Sequence, residues 1–517
     1  MPESSSRSRE SILAGAASWH LLALIIAGSV TLYTRFFRSS FFAFFEDDFF
    51  YYVQVAKNLA LHGHSTFDGV HATNGYHPLW LLLLTLLYKI LPGISFFIAA
   101  QTVALACSVA IYLALLRCFR ALAIPLSTSR AAALLLSMHA LLLLRYGMEV
   151  TLAIPLALWA LALYLSPEFF WTPSQTAVFS LLACTAVLAR IDIILLFAIL
   201  VPPQLLTMPL SKALRRAGLI LLCFTPLFLY LIVNYCLFHT FLPISGLAKE
   251  LKPLFPPSPV SARSLILPFD RMKAVFVYPA LLALFLGSLQ LLHIWNRLQP
   301  RLRQTFAILL LFPVLHTLLL SFIGDWPVWP WYFYSFVFST VAATMIALLS
   351  VPVPVASHTR TSTTVVFSLY AASLCYFIYI AGYAVAKPPS RMALLSADMA
   401  AFAQQHPGTY AMGDQAGTTA YLAGQPFVQL EGLMMDGAYL DNIRHRSSVS
   451  DVLQRYHADY YINLYLDTPT GCFQLSEPAQ VGPHSPHMRG HICALPLATF
   501  TESDTHMSVF RAADVEP

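Results

Sequence analysis

The sequence predicts an all-α polytopic membrane domain followed by a small α/β domain outside the membrane. Of the 517 residues, 58% are hydrophobic and 11% are charged, and the mean hydropathy is +0.66, which is far outside the composition of soluble globular proteins. Several runs carry no Asp, Glu, Lys or Arg and are about long enough to cross a hydrocarbon core of roughly 30 Å: 96–116, 217–237, 274–292, 331–350 and 363–384. A soluble protein with such buried helices needs many amphipathic covering elements, which this sequence lacks.

The basic residues predict how these helices are oriented. They gather in short loops, and such clusters mark the cytoplasmic side of a membrane protein: Arg117/Arg120/Arg130, Lys212/Arg215/Arg216 and Arg297/Arg301/Arg303. The net charge of +5 therefore reports topology and gives no basic patch for nucleic acid. All clusters fall on one side only if the apolar segment 78–90, roughly 20 Å long as a helix, is re-entrant or interfacial.

The predicted arrangement has about 11 spanning helices and interfacial helices in the first outer loop. The amino terminus is expected in the cytoplasm. The carboxyl-terminal domain is expected outside it, in the periplasm if the cell is Gram-negative. The expected spans lie near 14–35, 96–116, 131–146, 151–166, 175–189, 192–208, 217–237, 272–292, 305–323, 331–350 and 363–384.

The chain changes character after the last apolar run. Gly, Asp, Gln and His return, and Pro388-Pro389 mark a linker. We expect a membrane domain over 1–386 and an extracytoplasmic α/β domain over 387–517. Its predicted strands lie at 409–412, 427–430 and 460–465, and its predicted helices at 391–405 and 449–457. Cys472 and Cys493 are candidates for a disulfide in an oxidising compartment.

Three consecutive acids follow the first apolar run. Glu46, Asp47 and Asp48 come directly after the sequence FFAFF, so their charge lies at the bilayer surface, where ionisable residues usually mark function. An ionised carboxylate that accepts a proton from a bound hydroxyl acts as a general base. Two other interpretations stay open. Asp47 and Asp48 cap the helix that follows, or they bind a divalent cation such as Mg²⁺, Mn²⁺ or Ca²⁺.

The rest of this outer loop is rich in polar and aromatic side chains. A helix is expected over 49–62, and its polar stripe of Gln54, Lys57 and Asn58 is typical of a helix that lies in the membrane interface. The segments 63–69 and 73–80 then supply turns, hydrogen-bonding groups and imidazoles, which suit a pocket for a polar headgroup.

Two stretches of this loop carry a resemblance to a known family. The sequence DDFFYYVQVAKNLALHG at 47–63, followed by GYHPLW at 75–80, resembles the first outer loop of the glycosyltransferase C (GT-C) superfamily. Further motifs follow in the family's order: YGMEVT at 146–151, ARID at 189–192, and FHTFLP at 238–243 with AK at 248–249. The resemblance implies an enzyme that transfers a sugar from a polyprenyl-phosphate carrier to an acceptor outside the membrane.

The tail extends this resemblance. GDQAG at 413–417 and VQLEGL at 428–433 are similar to the extracytoplasmic domain of the branch that contains the mycobacterial terminal arabinofuranosyltransferases. The chain departs from the family motifs in three places, where Arg145-Tyr146 replaces a small residue, Ile191 replaces Pro, and His239 replaces Gly. These departures bear on which sugar is accepted.

The resemblance implies roles for individual residues. Asp47 is the expected general base, and Asp48 is expected to support it. Lys249, Arg190 and His77 are expected to hold the donor phosphate, because phosphate is the leaving group and needs positive charge. The alternatives are that Lys249 snorkels to lipid headgroups and that Arg190 pairs with its neighbour Asp192. A further set is expected to bind substrate: Glu149, Asp325, Trp326, Tyr76, His64 and Asp414.

The implied partners are a polyprenyl-phosphate-linked sugar donor, a glycan, lipid or protein acceptor, and membrane lipids. This interpretation requires no cofactor, and the divalent cation named above (Mg²⁺, Mn²⁺ or Ca²⁺) stays an open alternative. A transporter or flippase of lipid-linked sugars is the alternative function, because the number of helices and the interfacial acids also suit it.

Overall fold

The computed structural model describes residues 19–37, 41–166, 172–266, 271–350, 360–464 and 472–517. Within them the chain forms a helical part up to residue 386 and a mixed tail from 387 onward, and "the tail" below means residues 387–517. The helices of the helical part are α1 Trp19–Tyr33, α2 Asp47–His62, α3 Pro78–Ile90, α4 Ile94–Ala121, α5 Leu126–Leu144, α6 Val150–Leu165, α7 Pro173–Ala189, α8 Ile194–Leu200, α9 Pro202–Leu206, α10 Leu210–Cys223, α11 Thr225–Phe238, α12 Ile244–Lys249, α13 Pro259–Ile266, α14 Arg271–Ile294, α15 Pro300–Ile323, α16 Ser335–Ser350 and α17 Arg360–Ala386.

The described helices agree with a multi-pass membrane protein. By length and composition six of them are able to cross a membrane, and α10 with α11, bent by 48°, adds a seventh. Shorter apolar helices occupy the other predicted spans: Trp19–Tyr33, Val150–Leu165, Pro173–Ala189 and Ile191–Leu206. The segment Pro78–Ile90, which we expected not to cross, is a helix of 13 residues. The orientation of the termini stays a prediction.

The tail contains two sheets and four helices among its described residues. Its strands are β1 Tyr410–Met412, β2 Phe427–Gln429, β3 Tyr460–Asn463, β4 Phe473–Glu477, β5 Met488–Ile492, β6 Ala498–Glu502, β7 Thr505–Arg511 and β8 Val515–Glu516. Its helices are α18 Arg391–Gln405, α19 Ala416–Ala423, α20 Gly437–Arg444 and α21 Val449–Arg455. One sheet has the order β2-β1-β3-β7-β6 with β1 parallel to β2 and β3, and the other has the order β4-β5-β8. A disulfide joins Cys472 to Cys493.

Helix α2 lies between the helical part and the tail. It packs against α3 on one side and against α19 of the tail on another. Its polar stripe therefore faces protein rather than water: Gln54 and Asn58 are buried, and the Asn58 amide donates to the carbonyl oxygens of Thr66 and Phe67 at 2.9 and 3.3 Å. Polar side chains that close a loop produce the same periodicity as a solvated helix face, and this is why the sequence suggested an interfacial stripe.

Candidate functional site

The two aspartates at the start of α2 face different surroundings. Successive residues of an α-helix point about 100° apart, so two adjacent carboxylates leave the helix in different directions. Asp47 is buried and Asp48 is half-buried. The helix N-cap position, Glu46, makes no side-chain capping bond.

Asp47 caps a helix of the tail. Its carboxylate accepts hydrogen bonds from the backbone N–H groups of Gly417 and Thr418 at 3.0 and 2.7 Å, both in the first turn of α19. Gln415 precedes this turn with φ of 61°. Burial raises the pKa of Asp47 to about 6, and the bonds from Thr418 and Gly417 oppose that rise because they stabilise the ionised form.

Asp48 lies close enough to Lys249 for their charges to interact. Burial raises the pKa of Asp48 to about 7, and the positive charge of Lys249 opposes that rise, whereas Asp47 and Glu149 add to it. A carboxylate with a pKa near neutrality is well matched to general base catalysis, since it is partly ionised and still accepts a proton readily.

A cavity of about 430 Å³ lies beside Lys249, and we call it the donor cavity. The three residues expected to hold a phosphate, His77, Arg190 and Lys249, all line it. Apolar side chains form much of the remaining wall: Ile194, Leu242, Leu319, Leu320 and Ile323. The cavity thus combines the cations Arg190 and Lys249 and the carboxylates Asp192 and Glu250 with a surface suited to a hydrocarbon chain.

The two strong cations of the donor cavity are held differently. Arg190 is buried and forms an ion pair with Glu149 and a hydrogen bond to Asp192 at 3.0 Å. The Lys249 ammonium donates to the neutral hydroxyl of Tyr332 at 2.7 Å. The alternative pairing of Arg190 with Asp192 is therefore present, and in the part of the chain that the structure describes Lys249 forms no ion pair but bonds to the Tyr332 hydroxyl.

Tyr332 and His316 also line the cavity. Neither was predicted from the sequence. The guanidinium of Arg190 lies 4.6 Å from the centre of the Tyr332 ring, so this ring contacts Arg190 while its hydroxyl contacts Lys249. The Nε2 atom of His316 lies 3.1 Å from Asp192. Tyr332 was hidden in an aromatic run typical of interfacial belts, whereas the isolated His316 within an apolar helix was a signal that sequence reasoning could have used.

Several predicted substrate-binding residues have other partners. Glu149 is buried, pairs with Arg190 and accepts from the Tyr52 hydroxyl at 3.2 Å. Asp325 is fully buried and accepts from the Ser258 hydroxyl at 2.6 Å and from the His484 N–H at 2.8 Å. Glu149 therefore holds Arg190 in place through their ion pair. Asp325 connects the segment around Ser258 to the tail through its two hydrogen bonds.

The remaining predictions fall at different places. Trp326 lines the donor cavity, with Lys249 5.8 Å from its ring centre. Asp414 lies at a separate cavity of about 440 Å³ in the tail. The Tyr76 hydroxyl bonds to the Ser65 hydroxyl at 2.7 Å, and His64 is exposed. Neither Tyr76 nor His64 is among the described residues that line the donor cavity.

Asp47 and Asp48 do not belong to a group of three or more candidate metal ligands among the described residues. Both Asp47 oxygens accept backbone hydrogen bonds, which leaves Asp48 as one carboxylate. Among the described residues, a single group of three His, Cys, Asp or Glu side chains brings its atoms within ligating distance, and it lies elsewhere, at His491, Cys493 and Glu516. That group does not fit a metal either, because Cys493 is in the disulfide.

Solved structures share this architecture. ArnT from Cupriavidus metallidurans bound to undecaprenyl phosphate matches with a TM-score of 0.56 and 12% identity over 96% of this chain and 98% of that chain. The same protein in the apo state matches with a TM-score of 0.56 and 14% identity over 87% and 93%. The chain has the GT-C fold.

A more distant structure also matches. Arabinofuranosyltransferase AftD from Mycobacteria aligns with a TM-score of 0.47 and 13% identity over 96% of this chain and 41% of that chain. Neither a protein-family model nor a curated protein matches the sequence. The fold expected from the short motifs is confirmed by the match to ArnT.

Proposed function

We propose that this protein is a membrane glycosyltransferase that moves a sugar from a polyprenyl-phosphate donor to an acceptor group, with inversion at the anomeric carbon. The observation that carries the proposal is the donor cavity, which gathers His77, Arg190 and Lys249 against an apolar wall, with the charge of Lys249 acting on the half-buried Asp48. The shared fold with a protein bound to undecaprenyl phosphate supports the same donor class.

Asp48 is the general base in this proposal, and Asp47 is not. Asp47 was the base expected from the family resemblance, but its two oxygens are occupied by Gly417 and Thr418. Among the described residues, the hydrogen bonds from Gly417 and Thr418 go to Asp47, and the charge of Lys249 acts on Asp48. Its pKa of about 7 suits proton transfer near neutral pH.

The reaction is a single displacement. The acceptor hydroxyl gives its proton to Asp48 while its oxygen forms a bond to the anomeric carbon. The bond from that carbon to the phosphate oxygen breaks, and the oxygen leaves with the electron pair. Lys249 and Arg190 stabilise the charge that develops on the phosphate. One displacement inverts the configuration, and the proton on Asp48 is later lost to solvent.

The experiment is to incubate the purified protein with a panel of polyprenyl-phosphate sugars and candidate acceptors, and to measure release of the carrier phosphate. We expect the Asp48→Asn variant to lose transfer by roughly 10²–10⁴-fold, the usual contribution of a general base, while it still binds undecaprenyl phosphate. Asp441→Asn is the control, because Asp441 is an exposed acid of the tail that pairs with Arg444.

Two results would sink the proposal. One is near-wild-type turnover by Asp48→Asn. The other is movement of labelled carrier across liposomes without formation of a glycoside, which is the behaviour of a flippase.

The proposal also places the tail outside the cytoplasm. Its support is the basic clusters in loops such as 297–303 and the disulfide between Cys472 and Cys493. A thiol reagent that cannot cross membranes is expected to label Gln454→Cys and not Gln299→Cys in intact cells. Labelling of the second site alone would reverse the topology.

A further inference from the structure

Lys249 ends the short helix α12, which follows the largely exposed helix α11. Helix α11 ends before His239, whose φ is 57°, and α12 begins at Ile244 and ends at Lys249. The residues between the helices therefore decide where α12 starts and where Lys249 lies. We call residues 239–243 the α11–α12 turn.

Asn234 is buried on a helix that is otherwise largely exposed. Its exposed fraction is 2%, whereas those of Ile232, Val233 and Tyr235 are 56%, 52% and 49%. Its side-chain amide donates to the backbone carbonyls of Thr240 and Phe241, both at 3.0 Å. Burying a carboxamide is costly unless it is hydrogen-bonded. The two bonds of the Asn234 amide meet this requirement and fix the α11–α12 turn.

Asn74, from the first outer loop, holds the same turn from the other side. Its amide donates to the Asn234 side-chain oxygen at 3.0 Å and to the Thr240 hydroxyl at 2.9 Å. Its own oxygen accepts from the Ile244 N–H, the first residue of α12, at 3.0 Å. Every polar group of the Asn74 side chain is thus bonded to α11, to the turn or to the start of α12.

The neighbours of Asn74 contact the tail. The Thr73 hydroxyl donates to the Met435 carbonyl at 2.9 Å. A Cβ at Gly75 would overlap the Leu433 carbonyl oxygen, so glycine lets the two backbones approach. The segment 73–75 is therefore bonded to the turn that leads to Lys249 and to the tail at the same time.

We propose that Asn74 and Asn234 are positioning residues that set the place of Lys249 in the donor cavity. The proposal rests on the proposed function, because it assigns Lys249 to the donor phosphate. Neither asparagine lines the cavity, so each acts through the turn and α12. Replacing either asparagine would displace the Lys249 ammonium group and so weaken binding of a polyprenyl-phosphate donor.

The first test is a mutant cycle on binding of undecaprenyl phosphate to the purified full-length protein. Asn74→Ala, Asn234→Ala and Lys249→Gln are each expected to weaken binding about tenfold, since a charge-assisted phosphate contact is lost or misplaced. In the Lys249→Gln background the two asparagine changes are expected to add nothing. Additive losses would overturn the proposal, because a general structural defect does not depend on Lys249.

The second measurement is the pH dependence of transfer. The charged groups that act on Asp48 are Lys249, which lowers its pKa, and the carboxylates of Asp47, Glu149 and Asp414, which raise it. Displacing Lys249 leaves the raising groups in place, so the acidic limb of the rate profile should move to higher pH in both asparagine variants. If the acidic limb moves to higher pH in Lys249→Gln but stays at the wild-type pH in both asparagine variants, the proposal is overturned.

Asn58→Ala is the matched control. Asn58 is also a buried asparagine of the first outer loop that bonds to backbone carbonyls, but it does not contact the α11–α12 turn. It should keep wild-type affinity. If Asn74→Ala does not fold, Thr240→Val removes a single hydroxyl partner of Asn74 and should reproduce a smaller loss of binding.

The two proposals fail in distinguishable ways. If the wild type does not bind undecaprenyl phosphate and makes no glycoside, the proposed function fails. If the wild type binds and Lys249→Gln weakens binding while both asparagine variants match the wild type, only the positioning role fails.

Discussion

Two adjacent residues of α2 have different surroundings: the charge of Lys249, a residue that lines the donor cavity, acts on Asp48, whereas Asp47 lies at the interface with the tail. The cavity is open, about 430 Å³, and lined by Arg190 and Lys249. The tail interface is closed: Asp47 bonds directly to the first turn of α19, and a Cβ at Gly417 would overlap the Asp47 backbone oxygen. One residue step along a helix thus separates the base of our proposal from a residue that is bonded to the tail.

This difference teaches how two neighbouring acids divide their tasks. A carboxylate that accepts two backbone hydrogen bonds is stabilised in its ionised form and holds a structure together. In our proposal Asp48, on which the charge of Lys249 acts, is the carboxylate that remains available to a substrate. Three substitutions and the pH dependence of the wild type test that division.

Lys249→Gln removes the positive charge that faces both the donor and Asp48. We expect transfer to fall by roughly 10²–10³-fold, as for loss of one group that stabilises the charge of a transition state. Carrier release by the purified variant measures the effect. A variant with full activity would show that Lys249 does no more than snorkel to headgroups.

The pH dependence of the wild type sharpens the assignment of Asp48. The base must be ionised, and burial raises its pKa to about 7, so the rate should fall about tenfold per pH unit below that value and level off above it. Because Lys249 lowers this pKa, its removal should move the acidic limb to higher pH. A limb near pH 4 would point to an ordinary exposed carboxylate.

Gly417→Ala adds a methyl group against Asp47. The new Cβ would overlap the Asp47 backbone oxygen and lie 3.0 Å from its carboxylate, and such overpacking typically costs about 1–3 kcal/mol. The thermal midpoint should drop and protease should reach the tail sooner. Gly437→Ala is the control, since a Cβ there meets nothing within 4 Å.

Asp47→Asn keeps one acceptor oxygen but places an amide against a backbone N–H of Gly417 or Thr418. The expected loss is about 1 kcal/mol, as for a lost helix cap, with turnover reduced severalfold. Comparing its carrier release with that of Asp48→Asn decides between the two acids. If Asp47→Asn is the less active of the two, the base is Asp47, as the family resemblance first suggested.

The sequence predicted local features of the site better than its long-range contacts. The acids at the membrane surface were visible because carboxylates are rare beside a wall of phenylalanines. The motifs around Arg190 and Lys249 were recognisable as short runs in a fixed order. In the tail, the prediction of a helix over 391–405 matches α18, Arg391–Gln405, because its apolar residues follow helical spacing.

Contacts between distant residues were beyond the sequence. Asp47 meets Gly417 across 370 positions, and Asn74 meets Asn234 across 160. Nothing in either residue's neighbourhood indicates its partner. The sequence suggested that Asp47 caps the helix that follows it, α2. Asp47 does cap a helix, but that helix is α19 of the tail.

The bond between Asp47 and α19 limits how this protein can be taken apart and recombined. A tail exchanged from another protein would have to offer two adjacent backbone N–H groups at the same place, or leave a buried carboxylate without partners one residue from Asp48. Removing the tail would uncover α2 and expose that carboxylate to water. The two parts of the chain are therefore not interchangeable modules, and any chimera has to carry α2 and α19 as a matched pair.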